Sequence, residues 1–262
     1  MAKKATQTQR KYYSAPALDK GLDIIELLSD EPEGLILSEI ALKLNRSVSE
    51  IFRMLAVLER RAYISLDPAT DRYALTLKVF EISHRYLPIK RLTSAALPIM
   101  QKLAAQLEQS CHLVIYYNGR GVIIAQAENP APRSFNVRLG AEAPLTNSCS
   151  GHLLLAYADP KSRAEMLKAQ PRHLKTKISR GELNELMAKI TGQGYESIAS
   201  TQIQGVKDIG FPIFDYSKKM VAALSIPFLK HLDDSQKATF DDARLVLQDA
   251  AETISRALGY SR

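Results

Sequence analysis

Residues 37–60 read LSEIALKLNRSVSEIFRMLAVLER, a pattern that predicts two helices joined by a short turn. Ser38 is suited to cap the first helix, and Asn45, which tolerates a left-handed backbone, marks the turn. Ser47 and Glu50 have the spacing of a capping box and predict the start of the second helix. Two helices joined in this way form a helix-turn-helix.

The sequence on either side of this motif completes a small domain over residues 15–76. Residues 18–28 place apolar side chains at helical spacing and predict an amphipathic helix. The strand-like runs Tyr63–Leu66 and Arg72–Leu75 are separated by a turn-forming segment and predict a hairpin. We therefore predict a winged helix-turn-helix domain. Its expected buried stripes consist of Leu18, Leu22, Ile24, Ile25, Leu27, Leu28, Val48, Ile51, Phe52, Leu55 and Leu58.

The charges of the chain suit a polyanionic partner. The 262 residues carry 35 Lys and Arg against 28 Asp and Glu, which gives a formal net charge of +7. Residues 19–39 hold one Lys and seven acids, whereas residues 43–61 hold five basic and two acidic side chains. Residues 1–14 predict a basic flexible tail. One acidic and one basic side is typical of a DNA-facing domain, and scattered solvated charges are the alternative.

In a winged helix-turn-helix the third helix enters the major groove of DNA, and residues near its start reach the bases. The polar candidates are Arg46, Ser47, Ser49, Glu50 and Arg53 on this helix and Arg72 on the hairpin. Arginine bonds phosphate or guanine, serine bonds phosphate, and glutamate accepts from the cytosine amino group. Three of them have structural alternatives: Glu50 as a pure capping residue, Arg53 in an ion pair and Arg72 as a solvated hairpin charge.

This domain resembles the DNA-binding domain of IclR-type transcriptional regulators. The matching stretches are residues 17–28 (ALDKGLDIIELL), 37–41 (LSEIA) and 53–64 (RMLAVLERRAYI). The family usually has a Pro-Lys-Ser-Thr-like tetrad where this chain has Ser47-Val48-Ser49-Glu50. This departure affects which DNA sequence the domain prefers. The chain also has Ala62 where glycine is usual. The resemblance implies the same fold despite both departures.

Residues 77–96 predict a linker helix between two domains. Leu77–Tyr86 has the composition of one helix, and Ile89–Gln109 that of another in which Pro98 is a kink or a boundary. The lack of a Gly- or Ser-rich stretch favours a stiff joint. By the resemblance this segment is the family's linker helix, and its apolar side chains serve either dimer packing or packing on their own domain.

Residues 97–262 predict an α+β domain with room for a pocket. The expected strands are 112–117, 122–127, 135–139, 195–199, 209–214 and 221–227, and the expected helices are 149–158, 160–169, 182–192 and 235–258. Stretches such as 137–140, 151–156 and 211–213 resemble the effector-binding domain of the same family, whose fold is similar to GAF and PAS sensory modules. The resemblance as a whole covers residues 15–259.

A run of small polar residues, Asn147–Gly151, precedes an apolar helix. The free N–H groups and the dipole of a helix start favour an anion. The resemblance implies that a small organic acid binds near this run and near residues 203–211. The candidate effector-binding residues are Ser148, Cys149, Ser150, Gly151 and Asp208. An ordinary helix cap is the alternative for the first four, and Arg133 and Arg138 are alternative carboxylate partners.

Asp208 stands where many relatives carry a cysteine or another neutral residue. An acid beside an anion site repels the anion unless it is paired with Lys207 or bonded to a hydroxyl of the ligand. Its presence therefore favours a polar or hydroxylated effector over a plain monocarboxylate.

The residues predict no catalytic site, no metal site and no cofactor. Cys149 with His152 suggests a nucleophile and its base, but residues three apart on a helix rarely reach that geometry, and no acid is spaced nearby. The five His and two Cys lack metal-ligand spacing, and no Walker loop occurs. The apolar runs are too short to span a membrane, and the first residues do not predict a signal peptide. Together with only two cysteines this predicts a reduced, cytoplasmic protein.

These observations predict a one-component transcription factor of bacterial type. We expect a homodimer, or a tetramer built from two dimers, on a pseudo-palindromic operator in double-stranded DNA. A small acid in the C-terminal domain is expected to shift the spacing of the two DNA modules through the linker helices. The alternatives are a small-molecule-processing enzyme that uses Cys149 and has an accessory DNA-binding domain, and a nucleoid-type protein without sequence preference. The residues do not distinguish activation from repression.

Overall fold

The computed structural model describes residues 14–84, 87–131, 134–176, 178–201, 203–230 and 237–261. The chain forms two compact units, which divide between Tyr86 and Leu87, inside the segment that the sequence assigns to a linker. Residues 1–13 of the predicted basic tail lie outside the described residues, and so does Arg133.

The N-terminal unit is a winged helix-turn-helix, as the sequence predicts. Its helices are α1 (Pro16–Ser29), α2 (Leu37–Lys43), α3 (Val48–Arg60) and α4 (Lys78–His84), and its strands are β1 (Leu35–Ile36), β2 (Ile64–Asp67) and β3 (Arg72–Leu75). The hairpin of β2 and β3 forms the wing, and β1, which the sequence does not predict, pairs with β3 to give the antiparallel order β1-β3-β2.

The turn between α2 and α3 has the predicted chemistry at Asn45 and in the pairing of Ser47 with Glu50. Asn45 has a left-handed backbone with a φ of 51°, and the Ser47 backbone N–H donates to the Glu50 carboxylate at 3.3 Å. The prediction of Ser38 as the cap of α2 is wrong. The cap is Ile36 and the helix begins two residues earlier than predicted, because the Glu39 carboxylate accepts a hydrogen bond from the Ile36 N–H at 3.0 Å.

The core of the N-terminal unit is narrower than the predicted stripes. Its fully buried side chains are Ile24, Ile40, Ile51, Leu55 and Ile64. The predicted burial of Leu18, Leu22, Val48 and Phe52 is wrong, since these side chains are between 48% and 62% exposed. Adjacent residues of a helix lie about 100° apart around its axis, so burying Ile51 leaves Phe52 on the flank of α3.

Ala62 stands at the C-terminal end of α3, in a backbone conformation that favours the glycine usual there in the family that this domain resembles. The Tyr63 N–H donates to the Leu58 carbonyl at 2.9 Å, and the Ala62 N–H donates to the Glu59 carbonyl at 2.8 Å. These are the two hydrogen bonds of a Schellman motif, in which the residue after the helix adopts a left-handed backbone. Ala62 does so with a φ of 60°, at a cost of about 1 kcal/mol that glycine avoids.

The C-terminal unit is an α+β domain with helices on both faces of one antiparallel sheet. Its helices are α5 (Leu87–Leu107), α6 (Cys149–Ala156), α7 (Pro160–Lys168), α8 (Arg180–Gln193) and α9 (Phe240–Ala257), and its strands are β4 (Cys111–Tyr117), β5 (Arg120–Ala127), β6 (Glu142–Ala143), β7 (Glu196–Ala199), β8 (Val206–Phe214) and β9 (Met220–Leu229). The strand order is β6-β5-β4-β9-β8-β7. One apolar cluster joins the sheet to α5 and α9, and a second joins its other face to α6, α7 and α8.

Two boundaries predicted for this unit are wrong. Residues 135–139 form no strand, although their apolar residues alternate, because Phe135 and Val137 line a cavity and the chain pairs with β5 only after the turn at Gly140. The last helix begins at Phe240 and not at residue 235, since the Thr239 hydroxyl caps it by accepting the Asp242 N–H. Among the described residues, no helix is both long enough and apolar enough to cross a membrane.

Candidate functional site

The first turns of α3 bring five of the six predicted DNA-binding residues together. Arg46, Ser47, Ser49 and Arg53 are exposed there, and Glu50 is partly exposed beside them. Neither the Arg46 nor the Arg53 guanidinium forms a hydrogen bond or an ion pair with any residue that the structure describes. Both cations are therefore available to a partner.

Glu50 also links two helices. Its carboxylate accepts hydrogen bonds from the Lys20 ammonium at 2.6 Å and from the Ser47 hydroxyl at 2.8 Å. The hydrogen bond from Lys20 is the main reason that the pKa of Glu50 falls to about 2, and the two bonds from Ser47 add to it. Since both carboxylate oxygens already have donors, the geometry matches the capping interpretation of Glu50.

Arg72 is the first residue of β3, and its side chain reaches the loop before β1. Its Nη1 atom donates to the Gly34 carbonyl at 2.8 Å and lies 3.4 Å from the Glu39 carboxylate. This guanidinium therefore holds the wing against the start of α2, which differs from the freely solvated charge that the sequence offers as an alternative.

In the C-terminal unit a small cavity lies at the start of α6. Its volume is about 90 Å³, and four of the five predicted effector-binding residues line it: Ser148, Cys149, Ser150 and Asp208. Gly151 does not line it. A Cβ atom at Gly151 would lie 2.2 Å from the Pro144 carbonyl oxygen, so the missing side chain lets α6 approach the backbone of residues 144 and 145.

The two serines predicted to bind the effector, Ser148 and Ser150, have partners inside the protein. The Ser148 hydroxyl caps α6 by accepting the Gly151 N–H at 3.0 Å, and it donates to the Pro144 carbonyl at 2.7 Å. The Ser150 and Ser225 hydroxyls share a hydrogen bond of 2.8 Å. An incoming ligand therefore meets oxygen atoms that are already held in place.

Three ionisable groups of this cavity, Asp208, His112 and Cys149, have pKa values that are shifted towards their neutral forms. Burial raises the pKa of the Asp208 carboxyl to about 6 and lowers the pKa of the His112 imidazole to about 4. Burial also raises the pKa of the Cys149 thiol well above its usual value, and the nearby Asp208 and Glu196 carboxylates raise it further. No lysine or arginine is among the described residues that line the cavity.

The sequence analysis misses a buried acid next to Cys149. The fold places Glu196, which is fully buried on β7, with one carboxylate oxygen 4.0 Å from the His152 Nδ1 atom. The Cys149 thiol donates to the Glu196 carbonyl at 3.4 Å, and no hydrogen bond to the imidazole is found among the described residues. A protonated, buried thiol bonded to a carbonyl lacks the activation that a cysteine nucleophile needs. No group of three or more metal-ligating side chains occurs among the described residues either.

A larger cavity of about 610 Å³ also escapes the sequence analysis. Four aromatic side chains are among the residues that line it, namely Tyr157, Phe211, Phe214 and Tyr260. Phe214 packs edge-on against Tyr157 and stacks on Tyr260 at centroid distances of 5.3 and 5.1 Å. Its lining includes residues at the C-terminal ends of α6 and α8 and the second half of α9, among them Glu252 and Arg256.

Comparisons with known proteins agree with this architecture. The family model of the IclR helix-turn-helix domain matches residues 17–68, and that of the bacterial transcriptional regulator IclR C-terminal region matches residues 84–256. The HTH-type transcriptional regulator XynR of Escherichia coli strain K12 is 26% identical over 248 residues, which cover 93% of this chain and 97% of XynR.

Solved structures give the same result. The IclR protein of Thermotoga maritima is 28% identical with a TM-score of 0.70, over 93% of this chain and 98% of that one. An IclR homologue from Microbacterium hydrocarbonoxydans, solved with 4-hydroxybenzoate, has a TM-score of 0.76 at 20% identity over 94% of this chain and 100% of its own. Since the C-terminal family match alone spans more than half of the chain, this protein belongs to the IclR family of DNA-binding transcriptional regulators.

Proposed function

We propose that α3 reads an operator in the major groove and that a small organic acid bound at the start of α6 controls this binding. The observation that carries the first part is the pair of exposed arginines, Arg46 and Arg53, at the start of α3 without partners among the described residues. Ser47 and Ser49 lie between them and supply hydroxyls for phosphate contacts. A regulator that acts on chromosomal DNA in this way works in the cytoplasm and does so without catalysis.

A homodimer is the simplest assembly for this role. One α3 covers too few base pairs for an operator to stand out in a genome, and two related by a two-fold axis double the number of base pairs read. Such a dimer, alone or paired into a tetramer, would bind a pseudo-palindrome whose half-sites face the same side of the duplex.

The cavity at the start of α6 suits an anionic effector better than the larger cavity does. The smaller cavity lies at the N-terminal end of α6, where the helix dipole is positive, whereas the larger one includes residues from helix C-termini and has two charged lining residues of opposite sign, Glu252 and Arg256. The volume of the smaller cavity, about 90 Å³, is far less than the 610 Å³ of the larger cavity. An occupant that fits without rearrangement therefore has only a few heavy atoms. The ligand-bound structure of the Microbacterium hydrocarbonoxydans homologue supports a small-molecule effector in this fold.

Selection of genomic fragments on the purified full-length protein at near-physiological salt tests the operator proposal. We expect enrichment of a few sites that share an inverted repeat, and the genes beside them nominate the chemical class of the effector. Uniform retention with a steep salt dependence would instead identify a nucleoid-type protein without sequence preference. Absence of any retention would contradict the proposal.

We expect acid binding in the smaller cavity to weaken as the pH rises above about 6. Asp208 is ionised above its pKa of about 6, and an anion beside it favours the protonated carboxyl. Affinity should therefore fall by up to about tenfold per pH unit between about pH 6 and pH 8, while His112 and Cys149 stay neutral. Calorimetric titration with small carboxylates such as acetate, pyruvate and lactate, in buffers of different ionisation enthalpy, measures affinity and proton uptake together.

The Asp208→Asn variant is the control for this pH dependence. It keeps the shape of the cavity and removes the titrating group, so its affinity for the same acid should not change with pH. An affinity of the unmodified protein that is constant or rises from pH 6 to pH 8 would show that ionised Asp208 tolerates the ligand, as it does when it accepts a hydrogen bond from a ligand hydroxyl.

A further inference from the structure

Apolar side chains occupy part of the exposed surface of α3. Val48 is 50% exposed and Phe52 is 54% exposed, although both have the spacing of core residues in the sequence. Ala56 is exposed as well, and the three residues follow one another at intervals of four along the helix. They form an apolar stripe along one flank of α3, defined by Val48, Phe52 and Ala56.

This apolar stripe runs between the buried face of α3 and its polar face. Ile51 and Leu55 are fully buried on one side of it, whereas Ser49 and Arg53 are exposed on the other. Leaving a Phe side chain half exposed forgoes part of the favourable free energy that its full burial gives. A partner that covers the stripe recovers it.

The neighbouring charges indicate the class of partner. Arg46 and Arg53 lie next to the stripe and have no ion-pair partner among the described residues, so a second copy docked symmetrically on this face would bring arginines close to arginines. The major groove of DNA offers the opposite arrangement. There the phosphates and guanine bases accept hydrogen bonds from arginine, and the C5-methyl groups of thymine offer apolar contact.

The hydrogen bonds of the Glu50 carboxylate also favour base contacts by the apolar stripe. Its oxygens accept from Lys20 and Ser47, so it is poorly placed to read cytosine. The side chains left to contact bases from the first turns of α3 are then the two arginines, the serines and the apolar stripe.

We propose that Val48 and Phe52 read thymine, by contact with the C5-methyl groups of A·T base pairs in each operator half-site. This inference rests on the proposed entry of α3 into the major groove. It adds a base preference that hydrogen bonds from the polar candidates do not provide, because the C5-methyl group of thymine neither donates nor accepts a hydrogen bond.

Deoxyuridine substitution tests the proposal, because it removes only the C5-methyl group and keeps base pairing. A half-site is first selected from randomised duplexes with the full-length protein, and each thymine is then replaced by deoxyuridine in turn. We expect the affinity of the unmodified protein to fall about three- to tenfold at one or two positions. The Phe52→Ala variant should lose a similar factor on the thymine operator and show no further loss on the deoxyuridine operator at one of these positions.

Two further variants keep this test decisive. Val57→Ala removes an apolar side chain that is 42% exposed in the C-terminal half of α3, outside the stripe and beyond the first turns that enter the groove, and it should keep the full deoxyuridine sensitivity. Phe52→Leu keeps an apolar side chain at this position and should keep part of the deoxyuridine sensitivity. Circular dichroism establishes that each variant is folded, as expected for a half-exposed site.

The outcomes separate this inference from the proposed function. If the protein selects an operator but no thymine in it is sensitive to deoxyuridine, or if Phe52→Ala keeps the full sensitivity, thymine readout is overturned and operator binding stands. If the unmodified protein selects no sequence at all, both the proposed function and the thymine readout are contradicted.

Discussion

Replacing Arg46 and Arg53 together by alanine is expected to lower operator affinity about a hundredfold or more, while the protein stays folded. An arginine that bonds a guanine base contributes about 1–3 kcal/mol of discrimination, and one that bonds a phosphate strengthens binding to every sequence. Both guanidinium groups are exposed and form no ion pair with the described residues, so the free energy of unfolding should change by less than about 0.5 kcal/mol.

Fluorescence anisotropy with the selected operator, repeated at several salt concentrations, separates the two kinds of contact. Loss of a phosphate contact lowers the slope of affinity against salt by about one for each residue, whereas loss of a base contact relaxes the preference at one position. Arg60→Ala is the matched control, because it removes the same charge from the other end of α3. Operator affinity that survives in both single variants would contradict the assignment of α3 as the reading helix.

The N-terminal fold was predictable because its signals are local. Asn45 at the left-handed turn and the pairing of Ser47 with Glu50 each involve residues within a few positions of one another, where chain chemistry decides the conformation. Burial is different, since it depends on which helix faces which. The repeat of apolar residues locates a stripe on α3, but only its packing against α1 and α2 shows that Ile51 is covered and Phe52 is not.

The sequence indicates where the cavity at the start of α6 lies and part of its lining, but not all of it. The small polar run before α6 indicates a helix start, and the cavity is found there. Glu196 lies next to this cavity because β7 contacts α6, although Glu196 and Cys149 are 47 residues apart in the chain. The larger cavity is formed by residues of three separate helices and of β8. Long-range contacts of this kind leave no periodic signal in the sequence, so no reading of local pattern predicts them.

Gly151 has two explanations, which a single substitution separates. The sequence analysis places it among the effector-binding residues, as a position where a ligand approaches the backbone closely. In the structure the close approach is made by the protein itself. A Cβ atom there would lie 2.2 Å from the Pro144 carbonyl oxygen and 2.6 Å from the Leu145 Cα atom, both of them backbone atoms that cannot rotate away.

The packing explanation predicts that Gly151→Ala destabilises the C-terminal unit by about 3 kcal/mol or more, because α6 must move away from residues 144 and 145. Gly192→Ala is the matched control, since a Cβ atom in that helical position meets no heavy atom within 4 Å. Alanine there should stabilise α8 by about 0.5–1 kcal/mol. Denaturant unfolding of the full-length variants, followed by far-ultraviolet circular dichroism, measures both effects. A Gly151→Ala protein that keeps full stability but no longer binds the acid would instead assign this glycine to the ligand.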